Sequence, residues 1–356
     1  MTEKLIVKLG EDRCRIGQNK YKDANELLYR EGTQAVREAI DTAKYIPKMG
    51  LVDVADITYK KKISLGVPTG FKGLDRKIED AQLGELSIWT GKNGEGKSTI
   101  LGQVILEALD FGVSVFTYSG ELTKERFQQW INTQAAGQEN LESYKNQYGD
   151  IKYSVKENVD QAIKEWYRGR FFLYDNAIRG KNIANTSIID LCKYAAKRHD
   201  CLIYVIDNLM TSDYEAYNEN DYYLAQSKFV GDLVNFAKTF RVHIHLVAHP
   251  KKKDGELDKD SVAGRADIIN RADNVFSIER IYDSAEGYDA VLKILKNRNT
   301  GELGKFRLKF DSNTKRFYQI NAKGEYEERK PYKWAKYPQW VEDAEKAVEV
   351  GNLSLF

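Results

Sequence analysis

The chain has 356 residues, 42% hydrophobic and 12% aromatic, enough for a sizeable core and for two average domains or one large α/β domain with attachments. Charged residues are 30% of it but nearly cancel, to a formal net charge of +2, which excludes a disordered chain and a uniformly basic nucleic-acid coat; attraction to a polyanion must be local. Three cysteines without a CxxC pair, four histidines, no apolar run near the ~20 residues of a membrane span and a start that turns charged early argue against a disulfide scaffold, a zinc module, a membrane protein and a secretory leader.

The expected setting is a reducing, intracellular one. In chain order, residues 5–9 predict a short strand. Asp23 then caps a helix, and Thr33, after Gly32, opens a second one that gathers Ala35, Val36, Ala39, Ile40 and Ala43 on one face before Pro47. The charged run 59–62 reads as a linker.

From 63 to 321, short β-rich runs alternate with helical segments, the pattern of a mostly parallel sheet with crossover helices. Strands are expected at 86–90, 114–119, 171–174, 202–206, 243–248, 274–279 and 291–296. Runs 305–310 and 316–320, joined by Asp311-Ser312-Asn313-Thr314, predict a hairpin. The stretch 323–356 is charged and aromatic, with one short helix at 341–350 and a loose end.

Gly91-Lys92-Asn93-Gly94-Glu95-Gly96-Lys97-Ser98 fits G-x-x-x-x-G-K-[ST], with an apolar strand before it and a helix expected from Thr99. Glycines let successive N–H groups converge on phosphate oxygens at a helix N-terminus. Lys97 would neutralise the β- and γ-phosphates of ATP or dTTP, and Ser98 would ligate Mg²⁺. The run 202–206 ends in Asp207, a second ligand for the Mg²⁺ shell unless it is an ordinary loop aspartate. Glu121 lies just past the strand that follows the P-loop helix. It reads as the general base for water or, alternatively, as a helix-cap glutamate before Leu122.

A glutamate one strand beyond the P-loop resembles the arrangement of RecA-like motors, as does the lead-in from Pro68 to Asp75. Three later segments narrow the resemblance: Val247-Ala248-His249-Pro250-Lys251-Lys252, then SVAGRADIINRADN over 261–274, then Ile294-Leu295-Lys296-Asn297-Arg298 with Gly301 behind it. The sequence is similar to the ring-shaped DnaB-type replicative helicases, on the side of the bacteriophage T7 primase-helicase and the mitochondrial Twinkle helicase.

The resemblance implies a RecA-like P-loop NTPase core at 63–321 with a mostly parallel central sheet, a C-terminal β-hairpin and an N-terminal helical linker. By the same resemblance 1–30 is a remnant of a TOPRIM primase fold and 31–62 a linker helix and linker that helps close a homo-hexameric ring, unless that helix is an ordinary amphipathic one packing on its own domain; 322–356 is a C-terminal extension and tail. The implied activity is NTP-driven movement on single-stranded and forked DNA, 5′→3′. His249 would sense the γ-phosphate or simply be a core histidine, as His243 and His245 are read. Arg298, with Lys296, matches the arginine finger inserted into the next subunit's site. Arg280 and Phe310 match positions that sandwich the base. Asn270 stands where the family usually has a longer glutamine.

A DNA channel would be lined by the loop after His249, through Lys251, Lys252, Lys253, Lys259, Gly264, Arg265 and Ala266. Interleaved acidic residues leave open a plain solvated loop. The end, Asn352-Leu353-Ser354-Leu355-Phe356, resembles a sliding-clamp binding peptide, with a polymerase contact or a frayed tail as the other readings. Two further function classes fit the core: a RecA/RadA-type recombinase filament, and a ring ATPase acting on protein.

Overall fold

The structure is a computed structural model that describes residues 6, 8–10, 13–17, 19–45, 52, 54–57, 66–175, 187–209, 219–249, 266–282, 284–321, 324–326 and 331–336. The chain divides into two compact units, Met1–Ile63 and Ser64–Phe356.

In the first unit, β1 (Arg15–Ile16) pairs antiparallel with β2 (Lys44–Tyr45) around α1 (Ala24–Asp41). Asp23 caps α1 as its sequence predicts, accepting from the Glu26 N–H at 2.9 Å. Gly32, at φ +81°, breaks the helical path, so α1 is two helices meeting where the sequence places the junction. Within the strand expected at 5–9, the described residues take another form. Ile6, Lys8 and Leu9 are helical, and the Gly10 N–H closes a turn on the Ile6 carbonyl at 2.9 Å. A five-residue apolar run is too short to decide strand against helix, and Leu and Lys are good helix formers.

In the second unit the elements are α2 (Lys72–Ile78), β3 (Leu86–Thr90), α3 (Lys97–Phe111), β4 (Ser114–Ser119), α4 (Lys124–Ala136), β5 (Leu141–Lys145), β6 (Ile151–Val155), α5 (Glu157–Tyr167) and β7 (Phe171–Leu173). There follow α6 (Ile188–His199), β8 (Cys201–Asp207), α7 (Glu219–Phe240), β9 (His243–Val247), α8 (Ala266–Arg271), β10 (Asn274–Arg280), β11 (Ala290–Asn297), β12 (Gly304–Asp311) and β13 (Arg316–Gln319). Nine strands form one sheet in the order β13-β12-β11-β10-β3-β9-β8-β4-β7. From β10 to β7 neighbours run parallel; β11, β12 and β13 are antiparallel. The expected mostly parallel sheet and its late hairpin are both present.

Strand alternation sends side chains to two apolar cores. Trp89, Val115, Ile203 and Val205 face one core, with Leu74, Ile105, Ile131 and Ile163 from α2, α3, α4 and α5. Ile88, Phe116, Tyr204 and Ile206 face the other, with Cys192, Leu233 and Ile268 from α6, α7 and α8. Helices cover both faces, so the central parallel strands β3 and β9 are buried throughout, β4 and β8 nearly so, and they read as continuous apolar runs. Gln103, fully buried on α3, donates to the Phe317 carbonyl at 3.0 Å and accepts from its N–H at 2.8 Å. That amide fixes the P-loop helix to β13 and leaves neither backbone group unpaired. The sequence reading missed the exposed hairpin β5–β6, closed by Asn146 and Asp150. Among the described residues no helix is long and apolar enough to cross a membrane.

Candidate nucleotide site

β3 ends at Thr90 and the chain turns through the glycine-rich loop into α3, which begins at Lys97, two residues earlier than expected. The loop needs its glycines for space as well as for torsion. A Cβ on Gly91 would lie 2.5 Å from the Ile278 carbonyl oxygen. One on Gly96, at φ +100°, would lie 2.8 Å from the Phe317 ring. β10 and β13 therefore shape the loop from below. The Lys97 ammonium donates to the carbonyls of Gly91 at 2.7 Å and Lys92 at 2.9 Å, so the loop wraps around it. Burial lowers its pKa, against the opposing pull of Asp207, Glu121 and Glu95.

At the ends of the neighbouring strands the carboxylates converge. The Ser98 hydroxyl donates to Asp207 Oδ2 at 2.6 Å. Burial raises the Asp207 pKa; the Ser98 hydrogen bond opposes this, Glu121 adds to it and Lys97 counters it. The Gly120 N–H donates to the Asp207 carbonyl at 2.6 Å and ties the ends of β4 and β8 together. Glu121 accepts from Asn208 Nδ2 at 2.6 Å, and the same amide lies 3.0 Å from His249 Nε2. His249 Nε2 is 3.8 Å from Glu121 Oε1. Burial lowers the His249 pKa, helped by Lys97 and opposed by Glu121. The ring is then neutral at pH 7 and accepts from Asn208.

Asn208 is the residue the sequence reading passed over. Its signal was its place, one residue beyond Asp207 at the carboxyl end of a central parallel strand, where open α/β sheets hold ligands.

Lys97, Ser98, Glu121, Asp207 and His249 line a cavity of about 410 Å³ that also takes in Asn93, Gly94, Gly96 and Thr99. Its size suits a small-molecule ligand. The Ser98 hydroxyl and Asp207 carboxylate offer the hard oxygens that Mg²⁺ prefers. The Thr117 hydroxyl, fully buried on the cavity wall, has no hydrogen-bond partner among the described residues. The residues present fit a magnesium nucleotide.

Other residues singled out from the sequence lie elsewhere. Arg280 and Phe310 sit at the P-loop edge of the sheet but outside the cavity wall. The Arg280 N–H donates to the Glu95 carboxylate, and Phe310 packs on Phe317 with ring centroids 5.0 Å apart. Lys296 and Arg298 are at the opposite edge. β11 runs antiparallel to β10, so Asn297 pairs with Asn274, which pairs with Ser87 at the start of β3. With β3 five residues long, that edge is ~17 Å from the P-loop of the same chain. Lys296 Nζ donates to the carbonyls of Ile269, Asn270 and Ala272 at the end of α8. Asn270 is exposed, and its carbonyl also accepts from Arg298.

His243 is a satisfied core residue. It is fully buried, its Nδ1 lies 2.7 Å from the Gln82 carbonyl and its Nε2 3.0 Å from the Ser87 hydroxyl. The channel residues Lys251, Lys252, Lys253, Lys259, Gly264 and Arg265 lie outside the described residues, and the backbone of Ala266 opens α8. The tail from 337 onward is outside them too.

Sheet order, two-sided helix cover and the glycine-rich loop at a central strand end define a RecA-like ATPase fold. A solved ATPase domain shares it at TM-score 0.59 and 17% identity, covering 85% of this chain and 100% of that one. So does a solved DnaB-like replicative helicase, described with its interactions with primase, at TM-score 0.59 and 17% identity over 82% of this chain and 73% of that one. Residues 66–319 match the DnaB-like helicase C-terminal domain, and the chain belongs to that family. It is 26% identical to the chloroplastic/mitochondrial Twinkle homolog of Arabidopsis thaliana, over 88% of this chain and 47% of that protein. The chain thus spans about half the length of that curated relative.

Proposed function

We propose that this chain is the motor of a replicative DNA helicase, a homo-hexameric ring that hydrolyses ATP or dTTP with Mg²⁺ to move 5′→3′ along one strand of a fork. One observation carries the reading: the residues proposed for hydrolysis lie at opposite strand ends of the same sheet. The P-loop edge holds the phosphate cradle, Ser98 and Asp207, and the Glu121–Asn208–His249 chain. Arg298 is ~17 Å away, too far to serve the P-loop of its own copy.

Bound magnesium would neutralise phosphate charge and polarise the bond to be cleaved. The protein's own groups do the rest. Lys97 and the loop N–H groups hold the phosphates, and Arg280 and Phe310 flank the base. Glu121, kept in place by Asn208, takes a proton from the attacking water. His249 shares the Asn208 amide, so a change at Glu121 is felt at the strand end that leads to the channel loop, Lys251–Lys253, Lys259 and Gly264-Arg265-Ala266. Arg298 of one copy stabilises charge on the transferred phosphoryl of the next. The tail Asn352–Phe356 makes a replisome contact with the clamp or polymerase.

The test pairs a forked DNA substrate with native mass measurement. Strand separation that needs a 5′ tail, together with a six-copy mass, supports the reading. DNA-stimulated hydrolysis by open filaments without unwinding would replace it with a recombinase, and hydrolysis indifferent to DNA with a protein-directed ring ATPase.

A further inference from the structure

Around Arg298 the structure shows a built socket. The guanidinium donates to Asp273 Oδ1 at 2.7 Å and to the Asn270 carbonyl at 2.7 Å, and the Arg298 N–H donates to the Asp273 carbonyl at 2.9 Å. Asp273 is buried, while the Arg298 side chain is half exposed. The other oxygen of the same carboxylate accepts from the Leu86 N–H at 3.0 Å, and the Asp273 N–H returns a bond to the Leu86 carbonyl at 2.9 Å. Leu86 is the first residue of β3, the strand whose far end is the P-loop. A second carboxylate, Glu85, stands beside the socket and accepts from Asn274 at 3.1 Å. Burial, and then the Asp273 charge, push its pKa up to about 7, with Asn274 and Arg298 pulling the other way.

We infer that Asp273 is a positioning residue for hydrolysis: one carboxylate oxygen aims the Arg298 guanidinium outward while the other clips that arginine's base to the start of the P-loop strand. The inference rests on the finger reading of Arg298. Two guanidinium N–H groups are used within the chain, and the others have no acceptor among the described residues, so the half-exposed fork is oriented and still able to donate. An arginine held this way loses less side-chain freedom when it engages a phosphate than one waving on an exposed strand. The clip is held twice: the Leu86 N–H bonds the Asp273 carboxylate, and the Asp273 backbone N–H bonds the Leu86 carbonyl.

Asp273→Asn separates the two duties. The amide oxygen can still accept from Leu86, so the strand start stays satisfied, but the group facing Arg298 loses its charge. Turnover should fall about tenfold to a hundredfold, the loss expected for a hydrogen bond to a charged group. KM for nucleotide, assembly mass and thermal midpoint should stay near wild type. In an Arg298→Ala background, the residual turnover should not fall further when Asp273→Asn is added, because Asp273 acts only through Arg298. Asp273→Ser, a second variant that keeps a small acceptor near Leu86, should show the same non-additivity.

Three results would overturn the inference: unchanged turnover in Asp273→Asn, a further multiplicative loss in the Arg298→Ala background, or a fall in thermal midpoint that accounts for the lost activity. If Arg298→Ala alone keeps full turnover, the finger reading fails first and takes this one with it. If Arg298→Ala stops turnover and Asp273→Asn does not, only the socket is wrong.

Discussion

The two edges of the central sheet are built from the same strands but solve opposite problems. At the P-loop end four strand ends release loops into one cavity, where a buried lysine is held by two loop carbonyls near Asp207, Glu121 and Glu95, and Ser98–Asp207 and Asn208–Glu121 are hydrogen-bonded side chain to side chain. At the other edge the groups are locked to backbone: Lys296 to three carbonyls, Arg298 to one carbonyl and a clipped carboxylate, His243 to the Gln82 carbonyl. The first edge keeps side chains whose partners can be exchanged for substrate. The second fixes its cations to rigid elements and leaves the Arg298 side chain half exposed. On the proposed reading, that second kind of support suits a group that serves another copy.

Mutations at each edge should differ in what they spare. The largest effect is expected for Arg298→Ala: turnover falls about 10³-fold or more, while nucleotide affinity, read by a fluorescent analogue, stays within a few-fold, because the arginine is remote from its own P-loop. Loss of affinity in isolated copies would break the contrast. Glu121→Gln, at the near edge, should cost about 10²–10⁴ in turnover with the assembly intact. Asn208→Ala should cost about tenfold to a hundredfold, since it removes one hydrogen bond to a charged carboxylate. A loss as large as that of Glu121→Gln would make Asn208 more than a holder.

The smallest effect concerns stability. Burial lowers the His243 pKa to about 4. Between that value and ~6.5 the unfolded chain binds a proton that the folded chain refuses, so stability rises with pH across this window and is lost as pH falls through it, by up to ~3 kcal/mol. The thermal midpoint should drop between pH 6.5 and 4, and His243→Gln should flatten the slope. An unchanged slope would mean that the buried imidazole is not what titrates.

Legibility in the sequence followed the same divide. Strands of the sheet stand within a residue or two of their expected bounds because burial on both faces leaves unbroken apolar runs, as in Leu202–Ile206 within β8. Gly91–Ser98 is contiguous, so its chemistry is spelled out locally. The hairpin β5–β6 escaped notice because its exposed outer half, with Tyr144, Ile151 and Tyr153, gives alternation no buried face to follow. Its Asn146–Asp150 turn was the available cue. The Asp273 socket joins residues 86, 273 and 298, and nothing in a linear pattern marks an aspartate whose partners are 187 and 25 positions away. Asn208 is intermediate, adjacent to a recognised aspartate but with partners at 121 and 249.

Turnover in mixed assemblies of Lys97→Ala and Arg298→Ala copies, with mixing verified by mass, tests the shared site most directly. Each parent alone should be inactive, and co-assembly should restore hydrolysis, because an intact P-loop of one copy then meets an intact arginine of the other. Mixed assemblies as silent as their parents, or a single isolated copy hydrolysing at the full rate, would contradict it.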